Sequence, residues 1–308
     1  MRAVVLGLLL CTSAGMAQPL AYVPNEKSGT LSVIDTKLDR VIDELPAGSE
    51  PRGIAINGER IYVSDQSKNA LQVIHTGRRA IERTIALGES PEGVSLSPDA
   101  RTVAVASELA NAVMLVDAAS GRVLAAVKTQ GRNPEHAVFS PDGRWLYVSA
   151  EDASQVDVIE VAKKRQVGSI PVGKRPRGIA FTPDGARAYV ACELADTVYA
   201  IDVRTHSVIT PIPAGSFSTG VAMHPDGRRV FVSNARAGSV SVINTATNQV
   251  VASVAVGQRP GNMAFTPDGR KLYVANGRSH NVSVIDTATV RRLTDIPVGN
   301  LPWGVAIR

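Results

Sequence analysis

The sequence predicts an all-β fold, a seven-bladed β-propeller of four-stranded antiparallel blades closed by one C-terminal and three N-terminal strands. One sequence repeat occurs seven times at a period of about 42 residues, which is typical of repeat architectures. Each copy contains four short runs rich in Val, Ile, Tyr and Thr, separated by turn residues, which indicates four strands. Helical spacing of apolar residues is absent over any useful length. These observations favour one closed body over two ordinary domains.

The copies keep one register along the chain. The residue that opens each copy recurs with almost no insertion or deletion, at Pro51, Pro91, Pro134, Pro176, Ser218, Pro260 and Pro302. The last residue of the Val-Ile-Asp element keeps the same spacing, at Asp35, His75, Asp117, Glu160, Asp202, Asn244 and Asp286. Residues at corresponding positions are therefore expected to superpose from blade to blade.

The copy that opens at Pro260 shows the four strands clearly. They are predicted at 261–265, 272–275, 282–285 and 290–296. The first two are joined by Thr-Pro-Asp-Gly, in which proline presets one turn dihedral and glycine takes a positive one. The inner runs are apolar on both faces, so each sheet must be covered by neighbours on both sides. A closed ring of sheets supplies that cover.

The two ends of the chain supply the seventh blade. The last opening strand begins near Trp303 and has no successors before Arg308. Its three missing partners are the runs at 21–23, 31–34 and 41–45. One C-terminal and three N-terminal strands are therefore expected to latch the ring.

Residues 1–17 read as a secretory signal, which leaves residues 18–308 for the propeller. Arg2, an apolar stretch and a small-residue site before Gln18 carry this interpretation. The protein is expected to be periplasmic or secreted, with no membrane span, and to be a monomer. Cleavage removes Cys11 and leaves Cys192 without a partner for an internal disulfide.

The charge balance argues against nucleic acid as the main partner. The formal net charge is +5 and aromatic residues make up 4% of the chain. A surface of clustered Lys and Arg interleaved with stacking aromatics is therefore not indicated.

Two repeated segments resemble a known family of repeats. The wording Tyr-Val-x-Asn at 273–276, with a close variant at 231–234, and the Val-Ile-Asp-Thr elements at 33–36 and 284–287 resemble the YVTN family of β-propeller repeats. The resemblance covers the chain after the signal and implies the propeller fold. The Gly-His and Trp-Asp motifs that mark WD40 blades are missing from the sequence, which argues against that family.

The first and last segments of the propeller narrow the resemblance. Residues 21–27 and 298–305 are similar to exported seven-repeat members associated with PQQ-dependent alcohol catabolism. The resemblance implies a partner such as a periplasmic dehydrogenase, a cytochrome or a transporter component.

The path of the chain places one set of residues at one end of the ring, which we call the near side. It comprises the residue after each opening position and the loop after each second strand. Acid is concentrated on three consecutive blades, with arginines opposite. Such a mouth could orient a polar or zwitterionic small molecule, or it could be a solvated rim whose charges neutralise one another. The expected ligand-binding residues are Arg52, Glu92, Glu108, Glu135, His136, Glu151, Arg177, Glu193, Arg236, Arg278 and Trp303.

His136 departs most from the repeat, because five other copies have glycine there and Asn262 is the only other exception. Together with Glu92 and Glu135 it could hold a divalent cation or act as a general base. Alternatively, it fills a wider blade junction and is hydrogen-bonded to Glu135. No other cofactor is predicted, and seven repeats with few near-side histidines count against haem.

Two other near-side residues have open roles. Cys192 is either a buried, inert thiol or a nucleophile activated by a positive neighbour, for which Arg177 is the candidate. Trp303 either packs the seam where the ring closes or stacks on a ligand.

The sequence leaves two functions open. The first is an exported, non-enzymatic propeller that binds a small molecule or a partner protein. The alternative is a lactonase-like hydrolase in which Glu135, His136 and Arg177 are the working groups. No nucleotide-binding loop, zinc-spaced set or serine nucleophile elbow is present in the sequence.

Overall fold

The computed structural model describes residues 18–308 and shows seven four-stranded antiparallel sheets arranged as a propeller. The predicted signal segment, residues 1–17, lies outside the described residues. In the copy that opens at Pro260, all four predicted strands agree with the observed ones within one residue at each end. The fold class is therefore confirmed.

The strands form four concentric layers. The innermost strands are β4 (Pro51–Asn57), β8 (Pro91–Leu96), β12 (Pro134–Phe139), β16 (Pro176–Phe181), β20 (Ser218–Met223), β24 (Pro260–Phe265) and β28 (Ala306–Ile307). The second strands are β1 (Leu20–Asn25), β5 (Arg60–Asp65), β9 (Thr102–Ser107), β13 (Trp145–Ala150), β17 (Arg187–Cys192), β21 (Arg229–Asn234) and β25 (Lys271–Asn276). We number as blades 1 to 6 the sheets that begin with β4, β8, β12, β16, β20 and β24, and as blade 7 the sheet that joins both ends of the chain.

The two outer layers complete each blade. The third strands are β2 (Thr30–Asp35), β6 (Ala70–His75), β10 (Ala112–Asp117), β14 (Gln155–Glu160), β18 (Thr197–Asp202), β22 (Ser239–Asn244) and β26 (Asn281–Asp286). The outermost strands are β3 (Arg40–Pro46), β7 (Ala80–Ala86), β11 (Val123–Lys128), β15 (Arg165–Pro171), β19 (Ser207–Pro213), β23 (Gln249–Ala255) and β27 (Arg291–Pro297). Three short 3-10 helices occupy Glu151–Ala153, Val161–Lys163 and Glu193–Ala195.

The core lies between the blades. The described residues contain seven clusters of buried apolar side chains, and each cluster joins two neighbouring blades. The second and third strands are buried on both faces, whereas the outermost strands are largely exposed. A blade cannot bury both of its faces alone, so the ring is held together by the same burial that orders each sheet.

Blade 7 closes the ring as expected. β28 pairs with β1, and the backbone amides of Leu20 and Arg308 each donate to the other's carbonyl at 2.9 and 3.1 Å. The predicted strand from Trp303 is reduced to Ala306–Ile307 and an isolated bridge between Asn25 and Pro302. The strand is shorter because blade 7 leaves the ladder over three residues, 303–305, whereas a bulge frees two residues in each of the other blades.

That bulge sets the geometry of the near side. In blades 1 to 6, pairing of the inner with the second strand is interrupted between the opening residue and the third residue after it. The two intervening residues leave the ladder. The first of them lines a cavity on the ring axis in all seven blades: Arg52, Glu92, Glu135, Arg177, Thr219, Gly261 and Trp303.

The second freed residue is glycine in five blades because the next inner strand lies against it. A Cβ built at Gly53 would lie 2.2 Å from the carbonyl oxygen of Glu92, and one at Gly220 would lie 2.4 Å from that of Gly261. Contacts this short exclude a side chain unless the backbone moves. Blades 3 and 6 differ at this position, where they carry His136 and Asn262.

Candidate ligand-binding site

A cavity of about 210 Å³ opens at the near side on the ring axis. Its lining is mostly charged on blades 1 to 4 and consists mainly of small or apolar side chains on blades 5 to 7. The lining residues are Glu26, Arg52, Glu92, Glu108, Glu135, His136, Glu151, Arg175, Arg177, Glu193, Thr219, Ala235, Arg259, Pro260, Gly261, Asn262, Gly277, Leu301, Pro302 and Trp303. Six glutamates stand against four arginines, so carboxylates are in excess by two when all are ionised.

Nine of the eleven predicted ligand-binding residues line this cavity. The other two, Arg236 and Arg278, line an adjacent open groove instead. The guanidinium of Arg236 lies 3.6 Å from the ring centroid of Phe217, which is cation–π distance. This groove shares Arg175, Glu193, Ala235 and Arg259 with the axial cavity, so the two arginines lie beside the cavity and on the same groove as Glu193.

Two arginines of the cavity were not predicted from the sequence. Arg175 and Arg259 each stand immediately before an opening proline, with φ of 58° and 52°. Their shared place in the repeat was a signal that could have identified them. Glu151 and Glu193 reach the cavity from short 3-10 helices that directly follow β13 and β17.

The ion pairs of blades 7, 1 and 2 form one linked set. Lys27 lies 3.3 Å from Glu26, and Glu26 lies 3.3 Å from Arg52. Nη1 of Arg52 donates to Oε1 of Glu92 at 2.5 Å, and Nε2 of Gln66 donates to the same oxygen at 2.6 Å. The Oε2 atom of Glu92 is buried and has no hydrogen-bond partner.

A second set joins blades 3 and 4. Arg177 lies 3.0 Å from Glu135 and 3.8 Å from Glu193, and it donates a short hydrogen bond to Glu151. Arg175 bridges Glu151 and Glu193 at 3.2 and 3.1 Å. Burial opposes the charge of Arg177, but the three carboxylates raise its pKa further above the ordinary value. This guanidinium is therefore a permanent cation in the middle of the second set.

Burial and neighbouring charges separate the pKa values of three glutamates. Burial, followed by the charge of Glu135, raises the pKa of Glu92 to about 9, although Arg52 opposes the shift. Burial raises the pKa of Glu151 to about 7 against the pull of Arg177. Burial would also raise the pKa of Glu135, but Arg177, His136 and Arg52 together lower it. At neutral pH Glu92 is therefore protonated and Glu135 ionised.

His136, Asn262 and Trp303 also line the cavity and join opposite sides of the ring. The rings of His136 and Trp303 stack with centroids 5.4 Å apart, and Nδ2 of Asn262 lies 3.2 Å from Nε2 of His136. The two residues that replace glycine in the repeat thus meet each other across the axis. With the amide of Asn262 as donor, Nε2 accepts and the ring proton lies on Nδ1, which is buried without a partner.

The expected hydrogen bond between His136 and Glu135 is absent, so that interpretation is corrected. Burial lowers the pKa of His136 to about 4, although Glu135 opposes the shift. The imidazole is therefore neutral at pH 7. Trp303 lies at the seam, where its backbone amide donates to the carbonyl of Pro24 at 3.0 Å, and its ring stacks on His136 in the cavity lining.

Within residues 18–308, no group of three or more His, Cys, Asp or Glu side chains has an arrangement that could hold a metal ion. The hypothesis of a divalent cation held by Glu92, Glu135 and His136 therefore has no structural support. His136 faces Asn262 and Trp303 instead of the two carboxylates.

Cys192 is fully buried, and burial raises the pKa of its thiol to about 12. A reactive thiolate needs the opposite shift. The hypothesis that Arg177 activates Cys192 is therefore wrong, because the guanidinium is engaged by carboxylates. Cys192 packs as a small apolar residue in the core between blades 3 and 4.

The fold and this cavity define the class of protein: a seven-bladed β-propeller with a charged axial pocket. Two family models match parts of the chain. One is described as "Lactonase, 7-bladed beta-propeller" and matches residues 162–296; the other is described as "Cytochrome D1 heme domain" and matches residues 97–220. Each match covers less than half of the chain. Neither description is that of the YVTN or PQQ-associated repeats. No curated protein matches the chain.

Solved structures share the fold. Hydrazine synthase from Kuenenia stuttgartiensis matches with a TM-score of 0.80 and 23% identity over 87% of this chain and 92% of that chain. A functionally unknown protein from Desulfotomaculum acetoxidans DSM 771 matches with a TM-score of 0.83 and 16% identity over 94% and 98%. The dihydro-heme d1 dehydrogenase NirN in complex with DHE matches with a TM-score of 0.71 and 17% identity over 93% of this chain and 74% of that chain. At these identities the likeness shows the fold alone.

Haem does not fit the axial cavity. Its volume of about 210 Å³ is below the range of about 300–1,000 Å³ that is usual for sites of drug-sized ligands. His136 is the one lining residue of a type that ligates haem iron, and its Nε2 faces Asn262.

In the described part of the chain, no helix is long and apolar enough to span a bilayer.

Proposed function

We propose that the chain binds a small polar molecule in the axial cavity and does not turn it over. The proposal rests on Glu92, which lines the cavity. Its Oε2 atom is buried and has no hydrogen-bond partner. A buried polar atom left unpaired costs about 1–3 kcal/mol. Nδ1 of His136 and Nε of Arg52 are unpaired in the same lining. A ligand that pairs with these atoms would recover that cost.

The arrangement is poorly suited to hydrolysis. Arg177 already faces three carboxylates, so its charge is not free to stabilise an oxyanion. His136 has a low pKa and no hydrogen bond to Glu135, and general-base catalysis is most effective when the pKa lies near the working pH. Arg177, His136 and Glu135 therefore do not provide a general base and an oxyanion-stabilising group around a position that a lactone could occupy.

Lactone hydrolysis remains the second candidate because of one observation. The lactonase model matches residues 162–296, which include Arg177 and Glu193. Glu135 and His136 lie outside that span, so the match does not concern the base that a lactonase would need.

The two candidates are separated by one screen. Wild-type protein is tested by thermal shift against small amines, amino acids, hydroxy acids and lactones, and the same lactones are followed with a pH indicator. We expect a rise in Tm with at least one class and no lactone turnover. Glu92→Gln should abolish the rise, whereas Glu44→Gln, on the exposed outer strand of blade 7, should not. Saturable hydrolysis that is lost in Glu135→Gln and His136→Ala would instead establish the enzyme.

We also propose that the protein is exported and that it acts beside a PQQ-dependent dehydrogenase, a role that requires export. The proposal of export rests on the signal-like residues 1–17, and the proposed role rests on the resemblance of the terminal segments. Expression of the full sequence should give a periplasmic protein whose intact mass corresponds to a chain that begins at Gln18. An Arg2→Glu, Leu8→Arg precursor should stay in the cytoplasm at full mass. A wild-type protein that stays in the cytoplasm with residues 1–17 attached would contradict the proposal.

A further inference from the structure

The ion pairs of the described chain that line the axial cavity fall into two sets, and no ion pair joins one set to the other. Starting at blade 7, acid and base follow each other from Glu26 through Arg52 to Glu92. On the other side they alternate again from Glu135 through Arg177 to Glu151. Between these two sets, Glu92 of blade 2 is followed directly by Glu135 of blade 3. No Lys or Arg of the described chain is ion-paired with both.

The break brings two buried carboxyl groups together. Glu92 and Glu135 occupy the same position of neighbouring inner strands, and they are 1% and 3% exposed. Neighbouring like charges disfavour joint ionisation, and Glu135 is the neighbouring charge that raises the pKa of Glu92 most. Arg52 and Gln66 both bind Oε1 of Glu92, which leaves Oε2 unpaired. In the free protein Oε2 therefore carries the proton of Glu92 without a partner, and it becomes an unpaired acceptor when that proton leaves.

We propose that the ligand carries a primary ammonium group, which occupies the gap between Glu92 and Glu135. The inference rests on the proposed function and names its ligand class. An ammonium group has three donors and no acceptor, so it suits a position between two carboxylates. An anion would meet the excess of glutamates over arginines in the lining.

The opposite wall leaves room for the rest of the molecule. Thr219 and Gly261 stand where blades 1 to 4 carry charged side chains, and Ala235 and Gly277 stand where Glu151 and Glu193 stand. The cavity of about 210 Å³ is well above the minimum of about 10–15 Å³ that one water molecule needs, so it has room for a small molecule. A short alkylamine fits this size.

Binding of the ammonium group should release a proton. The groups that act on Glu92 are Arg52, Glu135, Glu108 and Arg177, and Glu135 opposes its ionisation. A cation between the two carboxyls reverses that opposition, so Glu92 gives its proton to solvent and the ammonium keeps all of its own. The affinity should then rise up to about tenfold per pH unit while Glu92 is protonated in the free protein.

The experiment uses n-butylamine as the probe and n-butanol as its neutral match. Calorimetric titration of the mature chain at pH 6 to 8, in two buffers with different ionisation enthalpies, gives the affinity and the number of protons released. We expect saturable binding of n-butylamine, release of about one proton, and no binding of n-butanol. Glu92→Gln should lower the affinity for n-butylamine about tenfold or more. Glu44→Gln, on the exposed outer strand of blade 7, should leave the affinity unchanged.

Several outcomes would overturn the inference. Binding without proton release, binding of n-butanol as tight as that of n-butylamine, or equal losses in Glu92→Gln and Glu44→Gln would each exclude an ammonium between these carboxyls. Saturable binding of K⁺ or Mg²⁺ that excludes n-butylamine would assign the gap to an inorganic ion. Binding of another small molecule without any amine binding would leave the proposed function standing, whereas no binding by any class would contradict both. The wild-type proton count does not depend on how well the variants fold.

Discussion

Replacement of Gly53 by alanine is expected to lower the free energy of unfolding by about 3 kcal/mol, as in overpacked cores. The added Cβ would lie 2.2 Å from the carbonyl oxygen of Glu92 and 2.7 Å from the amide of Val94. Both atoms belong to the inner strand of the next blade, so no flexible side chain can move to make room. The inner strands of blades 1 and 2 would have to separate, and this would also disturb the Arg52–Glu92 contact.

Gly168→Ala is the matched control for this change. Gly168 lies on the outermost strand of blade 3, and a Cβ there meets no atom within 4 Å. Alanine at such a position lowers the entropy of the unfolded chain and is expected to be neutral or to stabilise by up to about 1 kcal/mol. Urea unfolding of both variants measures the difference. A Gly53→Ala variant as stable as wild type would show that the inner strands are not in close contact.

Replacement of Arg177 by methionine is expected to cost about 3–5 kcal/mol, because removal of one partner leaves buried charges unpaired. The guanidinium is the common partner of Glu135, Glu151 and Glu193. Glu135 and Glu151 are both buried, so neither can recover its lost partner from bulk water. Chemical unfolding at pH 7.5 measures the loss.

The loss should depend on pH. Arg177 contributes to the lowered folded-state pKa of Glu135, so the ionised carboxylate stabilises the fold above the ordinary glutamate pKa of about 4.3. This contribution disappears as the pH falls through the folded-state pKa. The difference between wild type and Arg177→Met should therefore be largest near neutral pH and should shrink below about pH 4.

Arg175→Met provides the control for the second prediction. Its side chain is 43% exposed and bridges Glu151 and Glu193 from the solvent side. Exposed ion pairs contribute about 0–1 kcal/mol, so the variant should lose much less stability than Arg177→Met. Equal losses in both variants would mean that Arg177 is solvated and that the second set of ion pairs does not depend on it.

The repeat made most of the fold predictable from sequence. Strand boundaries followed because each copy contains the same turn residues and the same β-rich runs, and one copy fixes the others. The near-side ring followed for the same reason: Arg52, Glu92, Glu135 and Arg177 hold one position in successive blades. The short strand near Trp303 was not predicted, because blade 7 loses pairing over residues 303–305, one residue more than the bulge of the other blades.

The partners of the site residues were less predictable. His136 was expected to contact Glu135, its neighbour in sequence, but it contacts Asn262, which lies 126 positions further along the chain. Arg236 and Arg278 were placed with the acids of the cavity, but they line an adjacent groove that shares only Glu193 of those acids with it. Arg175 and Arg259 were missed because the position before each opening proline was not considered as part of the cavity.

The sequence by itself determined the number of blades, the latch between the two ends of the chain, and which residues gather at the near side. These properties depend on local turn chemistry and strand periodicity, which recur in each copy and act over a few residues. Only the tertiary structure decided how the gathered charges pair, that Glu92 and Glu135 belong to two sets of ion pairs that no ion pair joins, and that His136 stacks on Trp303. Such pairings depend on distances of a few ångströms between blades that are remote in sequence, and ring closure sets those distances.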